Sequence, residues 1–259
     1  MLPRMGRRDA LYVAAKAPRP GLAKTRLGRQ IGHPAAIALY GAFLRDLGAR
    51  LAPLEARYGY TLGWYITPPD AWPEIGPLVI PHDTIGATIL PQGPGDWTAR
   101  QVALFAGAAA RGERRTILIA SDSPQLPLAM IVEAFHLLAG HDLVLGPVAD
   151  GGYSLIGMRG WHDVLGGIPM STATVTRQIA ARAAERSVSV GWCAPIFDVD
   201  EADDLPQLCR VAQERDDLPA TRAALAACGL LARYGPPVAQ PTMAPTQSIF
   251  PGNGGSDDH

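Results

Sequence analysis

Lysine is nearly absent from this chain of 259 residues, which uses arginine for almost all of its cations. Both lysines, Lys16 and Lys24, lie in one segment, AAKAPRPGLAKTRLGRQ, at residues 14–30. The net charge of −1 provides no overall attraction to nucleic acid or to an acidic membrane surface. Any site for an anion must therefore be local, and this segment is the candidate.

Cysteine and long apolar runs are also scarce. The three cysteines are too few and too scattered for a disulfide framework or a tetrahedral zinc site, which indicates reduced thiols in a cytoplasmic protein. No segment approaches the roughly 18 to 20 apolar residues of a membrane helix. The apolar run at residues 10–15 is too short for a signal peptide and follows an aspartate, so we interpret it as a buried strand. We expect no membrane partner and no nucleic-acid partner.

Short apolar runs alternate along the chain with segments of helical periodicity. Strands are predicted at ALYVAA, YTLGWYIT, RTILIA, DLVLGPV, GYSLIGM and SVSVGWC, with helices between most of them. The prolines of PPDAWPEIGP predict a loop. This order predicts an α/β sandwich around a largely parallel sheet. We expect one domain at residues 9–233, followed at residues 234–259 by a disordered tail rich in proline and glycine.

Ligands of open α/β sheets bind beyond the carboxyl ends of the strands, so the loops that follow strands are the candidates for chemistry. The first such loop carries Lys16, Arg19, Lys24 and Arg26. These cations suit a diphosphate or a triphosphate, since lysine is a compact charge and arginine a bidentate donor. The loop is not a Walker A motif. The alternative is a solvated basic turn before a helix.

Carboxylates follow three other predicted strands. Asp122 lies in LIASDSPQL, and Asp198 and Asp200 lie two residues apart in PIFDVDEADDL, where an extended chain points both to one side. Oxygen ligands of this kind hold a divalent cation, although capping of the following helices is the alternative in both segments. Asp150 precedes Gly151 in GPVADGGYSLIG, where a hairpin turn is the alternative.

A phosphate site and separated carboxylates at one sheet edge predict transfer from a nucleotide through a magnesium-like ion. Glycosyl transfer with inversion requires a base to deprotonate an acceptor hydroxyl, and Asp150 is the candidate. Nucleotidyl transfer to a phosphate requires no base but more cations, which the first loop could provide. A non-catalytic nucleotide-binding protein is the third alternative.

The motifs KAPRPGLAKTRL, SDSP, GPVADGGYSLIG and DVDEADDL, in this order, resemble the bacterial DUF2064 family. Members of that family are described as glycosyltransferase-like, and one subgroup is associated with arsenosugar biosynthesis. The resemblance spans about residues 11–208 and implies the GT-A fold of nucleotide-diphospho-sugar transferases, a Rossmann-like α/β/α sandwich. The sequence is also similar to 2-phospho-L-lactate guanylyltransferases, which share the KTRL opening and an acidic strand end.

The resemblance implies roles for matching residues. Contacts with nucleotide phosphates are expected from Lys16, Lys24, Thr25, Arg26 and Arg100, with Lys24 and Arg26 foremost and Lys16 bracing the loop. Asp122 is expected to act in catalysis and, with Asp198 and Asp200, to hold Mg²⁺ or Mn²⁺. Substrate binding is expected from Gln92, Gly95, Asp96, Gly151, Gly152 and Tyr153. The expected partners are a nucleotide-sugar or a nucleoside triphosphate, and a small-molecule acceptor.

The sequence departs from the family pattern at six positions. Trp97, Thr98 and Ala99 replace the residues of a QG-x-GDLGERM stretch, Ser123 replaces a cysteine, Gln125 an aspartate and Met170 a tryptophan. These changes bear on the acceptor more than on the nucleotide. The family description favours glycosyl transfer from a nucleotide-sugar, with nucleotidyl transfer to a phosphorylated acceptor as the alternative.

Overall fold

A computed structural model describes residues 9–80, 88–170 and 172–235. Its seven strands are β1 (Asp9–Lys16), β2 (Thr61–Thr67), β3 (Thr88–Pro91), β4 (Arg115–Ala120), β5 (Leu143–Pro147), β6 (Tyr153–Arg159) and β7 (Val190–Trp192). They form one sheet in the order β3-β2-β1-β4-β6-β5-β7. Only β6 runs against the others, pairing antiparallel with β4 and β5. The predicted mostly parallel sheet is confirmed.

The helices of the described ranges connect and cover the strands. They are α1 (Thr25–Ile31), α2 (His33–Tyr58), α3 (Trp72–Val79), α4 (Trp97–Ala110), α5 (Leu128–Gly140), α6 (Val175–Glu185), α7 (Leu205–Glu214), α8 (Pro219–Ala227) and α9 (Leu230–Tyr234). A 3₁₀ turn at Ala202–Asp204 leads into α7. None of these helices combines the length and the hydropathy that crossing a bilayer requires.

Both faces of the sheet are buried under helices. Along β1, Leu11 and Val13 point into a core that includes Phe43 of α2, because alternate side chains of a strand face opposite sides. Tyr12 points the other way, into a second core that includes Phe105 of α4. Helices on two faces of one sheet make the α/β/α sandwich that the resemblance implies.

The prediction of a loop at PPDAWPEIGP is correct for residues 68–71 and wrong for the rest of the segment, because α3 begins at Trp72. Pro73 occupies the first turn, where a backbone N–H has no partner within the helix and proline therefore costs no hydrogen bond. Ile75 is fully buried against the core, and this burial stabilises the short helix. Pro73 marks the start of a helix here.

The C-terminal end of the described residues overlaps the predicted tail by two residues. Helix α9 extends to Tyr234, which is the first residue assigned to the tail from sequence. The remainder of that segment, residues 236–259, lies outside the described residues. The single-domain boundary at residue 233 stays a prediction.

The parallel strands bring the chemistry-bearing loops to one edge. β1 ends at Lys16, β4 at Ala120 and β5 at Pro147, and all three strands run in the same direction. The loops that carry the candidate cations and carboxylates therefore start from a common edge of the sheet.

Candidate active site

Two adjoining cavities open at this edge. The first cavity, about 410 Å³, is lined by Lys16, Lys24, Thr25, Gln92, Arg100 and Asp122 among others. The second cavity, about 370 Å³, is lined by Asp150, Gly152, Met170 and Thr172 among others. Arg26, Trp97, Tyr153, Asp198 and Asp200 line both. Two ligands bound in these cavities would meet at the shared wall.

Lys24 is buried between two of the predicted metal ligands. It precedes α1 in the left-handed conformation, with φ of 48°, and its side chain is only 2% exposed. Its Nζ lies 2.5 Å from Oδ1 of Asp122 and 3.3 Å from Oδ1 of Asp200, and it donates a hydrogen bond of 2.7 Å to the carbonyl of Val199. In this state the Lys24 ammonium neutralises carboxylates.

Lys16 presents the freer ammonium. It is exposed at the end of β1 and lines the first cavity, and within the described ranges no carboxylate lies within 4 Å of its Nζ. Its backbone N–H donates to the hydroxyl of Tyr40 (2.9 Å), which is hydrogen-bonded to Ser121 (2.8 Å). This link joins the ends of β1 and β4. Lys16 is therefore the more accessible ammonium of the two, and the roles of both lysines toward a phosphate stay predictions.

The two arginines of the first loop point to different surroundings. Arg26 pairs with the carboxylate of Asp200 and lies 3.2 Å from Glu201 Oε1, yet its side chain remains 57% exposed and lines both cavities. Arg19 instead makes a forked pair with Glu74 of α3, at 2.9 and 3.0 Å from Nε, and lines neither cavity. Arg19 therefore braces the loop from outside the site.

Gln92 and Arg100 form the opposite wall of the first cavity. The amide of Gln92 donates to the carbonyl of Tyr65 (2.8 Å), and its Oε1 accepts from Arg100 (3.2 Å). Gly95 has φ of +98° and accepts a hydrogen bond from Arg100 Nε (3.0 Å), while Asp96 caps α4. Gly95 and Asp96 line neither cavity, so these hydrogen bonds shape the loop before α4. Binding of substrate by Gly95 and Asp96 stays a prediction.

The three predicted metal ligands differ in their electrostatics. Burial, Asp200 and Asp150 raise the pKa of Asp198 to about 6. Burial also raises the pKa of Asp122, but the ammonium of Lys24 more than offsets it, so the net pKa lies below its usual value. Within the described ranges, Asp198 has no cation within 4 Å. Asp198 is thus a carboxylate whose charge lacks a close counterion.

The carboxylates of Asp122, Asp198 and Asp200 are of the type that binds a hard divalent cation, but they do not converge on one point. Among the described residues, no three His, Cys, Asp or Glu side chains are arranged to hold a metal ion. Lys24 lies between Asp122 and Asp200 instead. Carboxylate oxygens are the ligands that Mg²⁺ and Mn²⁺ prefer, so Asp122, Asp198 and Asp200 would hold such an ion. Their role as ligands stays a prediction.

Ser123 and Gln125, two of the departures from the family pattern, connect the carboxylate loops. Both side chains are buried, and both donate hydrogen bonds to the carbonyl of Phe197, the residue before Asp198. They tie the loop of Asp122 to the segment of Asp198 and Asp200. Sequence reasoning missed this role, because no local pattern relates positions 125 and 197.

Replacing Gln125 by alanine is expected to lower the free energy of unfolding by about 1–3 kcal/mol, because it removes a buried hydrogen bond and leaves a cavity. It should also weaken Mn²⁺ binding through displacement of Asp198. Urea denaturation and calorimetric titration with Mn²⁺ measure the two effects. The control is Gln207→Ala on the exposed side of α7, and equal results for both variants would contradict the role of Gln125.

The ADGGY segment forms the turn of the β5–β6 hairpin, which is the alternative that its sequence left open. Oδ1 of Asp150 accepts from the N–H of Gly152 (2.8 Å), and the exposed carboxylate lines the second cavity. Gly151 has φ of +91°, and a Cβ there would lie 2.1 Å from the carbonyl oxygen of Ala173. This glycine therefore permits close packing of the protein chain, in addition to any role toward a ligand.

Tyr153 stands between the cavities with its hydroxyl already engaged. The hydroxyl donates to Oε1 of the fully buried Gln101 (2.7 Å) and lies 3.5 Å from the sulfur of Met170. Burial raises the pKa of Tyr153, so the phenol stays protonated at neutral pH. Gln101 and Thr172 were missed by sequence reasoning, since neither belongs to a motif.

Comparisons with known proteins place the fold of this chain among those of transferases. Residues 70–172 match the model of the family DUF2064, described as uncharacterized and conserved in bacteria. No curated protein sequence matches the chain. A protein of Desulfovibrio desulfuricans G20, provisionally described as a nucleotide-diphospho-sugar transferase, is 27% identical with a TM-score of 0.77, over 88% of this chain and 98% of that one.

A cytidylyltransferase of Leptospira borgpetersenii serovar Hardjo-bovis has a similar fold at 9% identity. Its TM-score is 0.50, over 88% of this chain and 96% of that one. This likeness concerns the fold alone. The match over residues 70–172 confirms the resemblance to the DUF2064 family, and the likeness to the Desulfovibrio protein confirms a fold shared with nucleotide-diphospho-sugar transferases.

Proposed function

We propose that this protein is a metal-dependent glycosyltransferase, which moves a sugar from a nucleotide-sugar to a small-molecule acceptor. The observation that carries the proposal is the pair of adjoining cavities with a shared wall at Arg26, Asp198 and Asp200. A transfer reaction requires two substrates whose reacting atoms meet, and such a wall brings them together. The 27% identity to a protein described as a nucleotide-diphospho-sugar transferase supports the same reaction class.

The nucleotide would occupy the first cavity. Lys16, Arg26 and Arg100 place cations around it, which suits the phosphates of the donor. Asp122, Asp198 and Asp200 would hold a divalent cation, which when bound neutralises charge on the departing diphosphate. Gln92 holds Arg100 in place through its side-chain oxygen.

The acceptor would occupy the second cavity, with Asp150 at its rim. In an inverting transfer, the Asp150 carboxylate takes the proton of the acceptor hydroxyl as that oxygen bonds to the anomeric carbon. The bond from that carbon to the diphosphate breaks at the same time, and the diphosphate keeps the electron pair. The hydrogen bond from Gly152 to Oδ1 orients the Asp150 carboxylate for this step.

Nucleotidyl transfer from a nucleoside triphosphate is the second candidate, and the cations of the first cavity favour it. The second cavity favours glycosyl transfer instead. Of the charged side chains that line it, three are carboxylates (Asp150, Asp198 and Asp200) and one is the guanidinium of Arg26. Asp150, which is not a predicted metal ligand, would repel a phosphorylated acceptor but not an uncharged hydroxyl compound.

The test is a screen of the protein with Mn²⁺ or Mg²⁺ against nucleoside triphosphates and nucleotide-sugars. Thermal shift ranks binding, and product analysis distinguishes release of a nucleoside diphosphate from release of pyrophosphate. Nucleoside diphosphate release from a nucleotide-sugar supports the proposal. Release of pyrophosphate supports the second candidate, and no metal-dependent binding of any nucleotide contradicts both.

Replacing Lys16 by methionine is expected to weaken nucleotide binding about tenfold, since one charge-assisted contact to phosphate is lost. The thermal midpoint should hardly change, because the exposed ammonium has no close carboxylate among the described residues. Calorimetric titration measures the affinity. Arg29→Met, an exposed charge change on α1, is the control, and equal affinities of the two variants would contradict the role of Lys16.

A further inference from the structure

The second cavity has an apolar floor and wall. Buried side chains from β4, β6 and α6 form its floor, namely Leu118, Ile156 and Val175. Trp97 and Met170 form its wall beside Tyr153. Both Trp97 and Met170 stand at positions where the sequence departs from the family pattern, so these departures meet at one cavity.

The Tyr153 hydroxyl and the Met170 sulfur are engaged by protein groups behind the surface of the wall. The Tyr153 hydroxyl donates to Gln101, and the sulfur of Met170 lies 3.5 Å from that hydroxyl and 3.9 Å from Gln101 Nε2. Gln101 Nε2 also contacts the carbonyl of Trp97 at 3.4 Å. Because these groups bind each other, the wall offers a ligand mainly aromatic and thioether surface.

One carboxylate of the rim stays negative whether or not a metal ion is bound. Asp200 is paired with Arg26 and Lys24 and, with Asp198, is a predicted metal ligand, whereas Asp150 is neither paired with a cation among the described residues nor a predicted ligand. Asp150 lies on the hairpin turn, apart from the pair that Lys24 neutralises, and its carboxylate is exposed to the cavity. An anionic ligand would be repelled, and a cationic one attracted.

We propose that the acceptor is a neutral or positively charged molecule with an apolar ring or chain, and not a phosphorylated or carboxylated compound. This inference rests on the proposed function, because it names the class of molecule that would fill the second cavity. The apolar body lies against Trp97 and Met170, and the polar or cationic end faces Asp150. The volume of about 370 Å³ suits one small molecule of this kind.

The experiment uses three probes with one ring system and different charge: 1-naphthalenemethylamine, 1-naphthalenemethanol and 1-naphthoate. Ligand-observed NMR with the full chain, with and without diamagnetic Mg²⁺, gives their affinities at neutral pH. We expect the amine to bind most tightly and the naphthoate about tenfold more weakly or not at all. Naphthoate binding as tight as that of the amine would overturn the inference.

Variants locate the binding. Met170→Ala is expected to weaken the alcohol about fivefold through lost apolar contact, and Asp150→Asn is expected to reduce the preference for the amine over the alcohol. Arg29→Ala, an exposed change on α1 that lines neither cavity, should leave both unchanged. Unchanged affinity in Met170→Ala would also overturn the inference.

The two proposals fail in different ways. If the amine binds with this variant pattern but no nucleotide-sugar is turned over, the proposed function fails and the ligand class of the second cavity stands. If nucleotide-sugar is turned over but the probes show no charge preference, the inference fails and the proposed function stands.

Discussion

Replacement of Lys24 by methionine is expected to lower the free energy of unfolding by about 2–4 kcal/mol, and Mn²⁺ is expected to restore most of the loss. The variant leaves Asp122 and Asp200 facing each other without the ammonium that lies 2.5 Å from one and 3.3 Å from the other. Removing one partner of a buried ion pair is costly because the remaining charge stays desolvated. The 40% exposure of Asp122 makes the cost smaller than that of a fully buried pair.

Mn²⁺ should rescue the variant because the lost ammonium and the metal ion serve the same carboxylates. Methionine is one atom shorter than lysine and, like it, is unbranched at Cβ, so the left-handed backbone at position 24 is no more strained than before. Urea denaturation with and without Mn²⁺ measures the effect. Lys16→Met serves as the matched control, with little expected loss of stability.

Two results would contradict this account of Lys24. Unchanged stability would show that the buried ammonium contributes nothing to folding. A loss of stability that Mn²⁺ does not reverse, while Mn²⁺ still binds the unsubstituted protein, would show that the metal does not use the carboxylates that Lys24 neutralises.

Replacement of Asp198 by asparagine is expected to raise the free energy of unfolding at pH 7.5 by about 1–2 kcal/mol while removing Mn²⁺-dependent nucleotide binding. The pKa of Asp198 is raised to about 6 by burial and by the neighbouring Asp200 and Asp150. The folded protein thus holds this proton more tightly than the unfolded chain does. The carboxylate therefore reduces stability as the pH rises from about 4 to about 6, and asparagine removes that cost.

The gain should vanish at pH 4, where the Asp198 side chain is already protonated in the folded protein. Urea denaturation at pH 4 and pH 7.5 measures the difference, and the magnitude given above allows for the partial exposure of the group. Asp203→Asn on the exposed 3₁₀ turn is the control. An equal gain at both pH values, or a loss at pH 7.5, would contradict the prediction.

Both variants concern one feature of the molecule, a cluster of carboxylates whose negative charge opposes folding. Lys24 compensates part of this charge, and the charge of Asp198 has no close counterion among the described residues. Charge that reduces stability in the free protein and is relieved on binding is expected at a functional site.

Local patterns were sufficient for most of the architecture. Alternating apolar runs and helical periodicity predicted the parallel sheet and its helices, because each pattern reflects which faces of one element are buried. The exception is α3, where prolines were interpreted as a loop although Pro73 lies in the first turn of a helix. Proline restricts the backbone, but its position within the element decides whether it ends or begins a helix.

For the candidate site, the sequence predicted less than it did for the fold. Because ligands bind beyond the strand ends, the sequence by itself determined that the cations and carboxylates would meet at one edge. Only the tertiary structure decided which lysine is buried, since the conformation at Lys24 and the approach of Val199 turn that side chain inward, while Lys16 stays exposed. It also decided that Gln125 reaches Phe197, because contacts between residues far apart in the chain depend on packing and leave no local pattern.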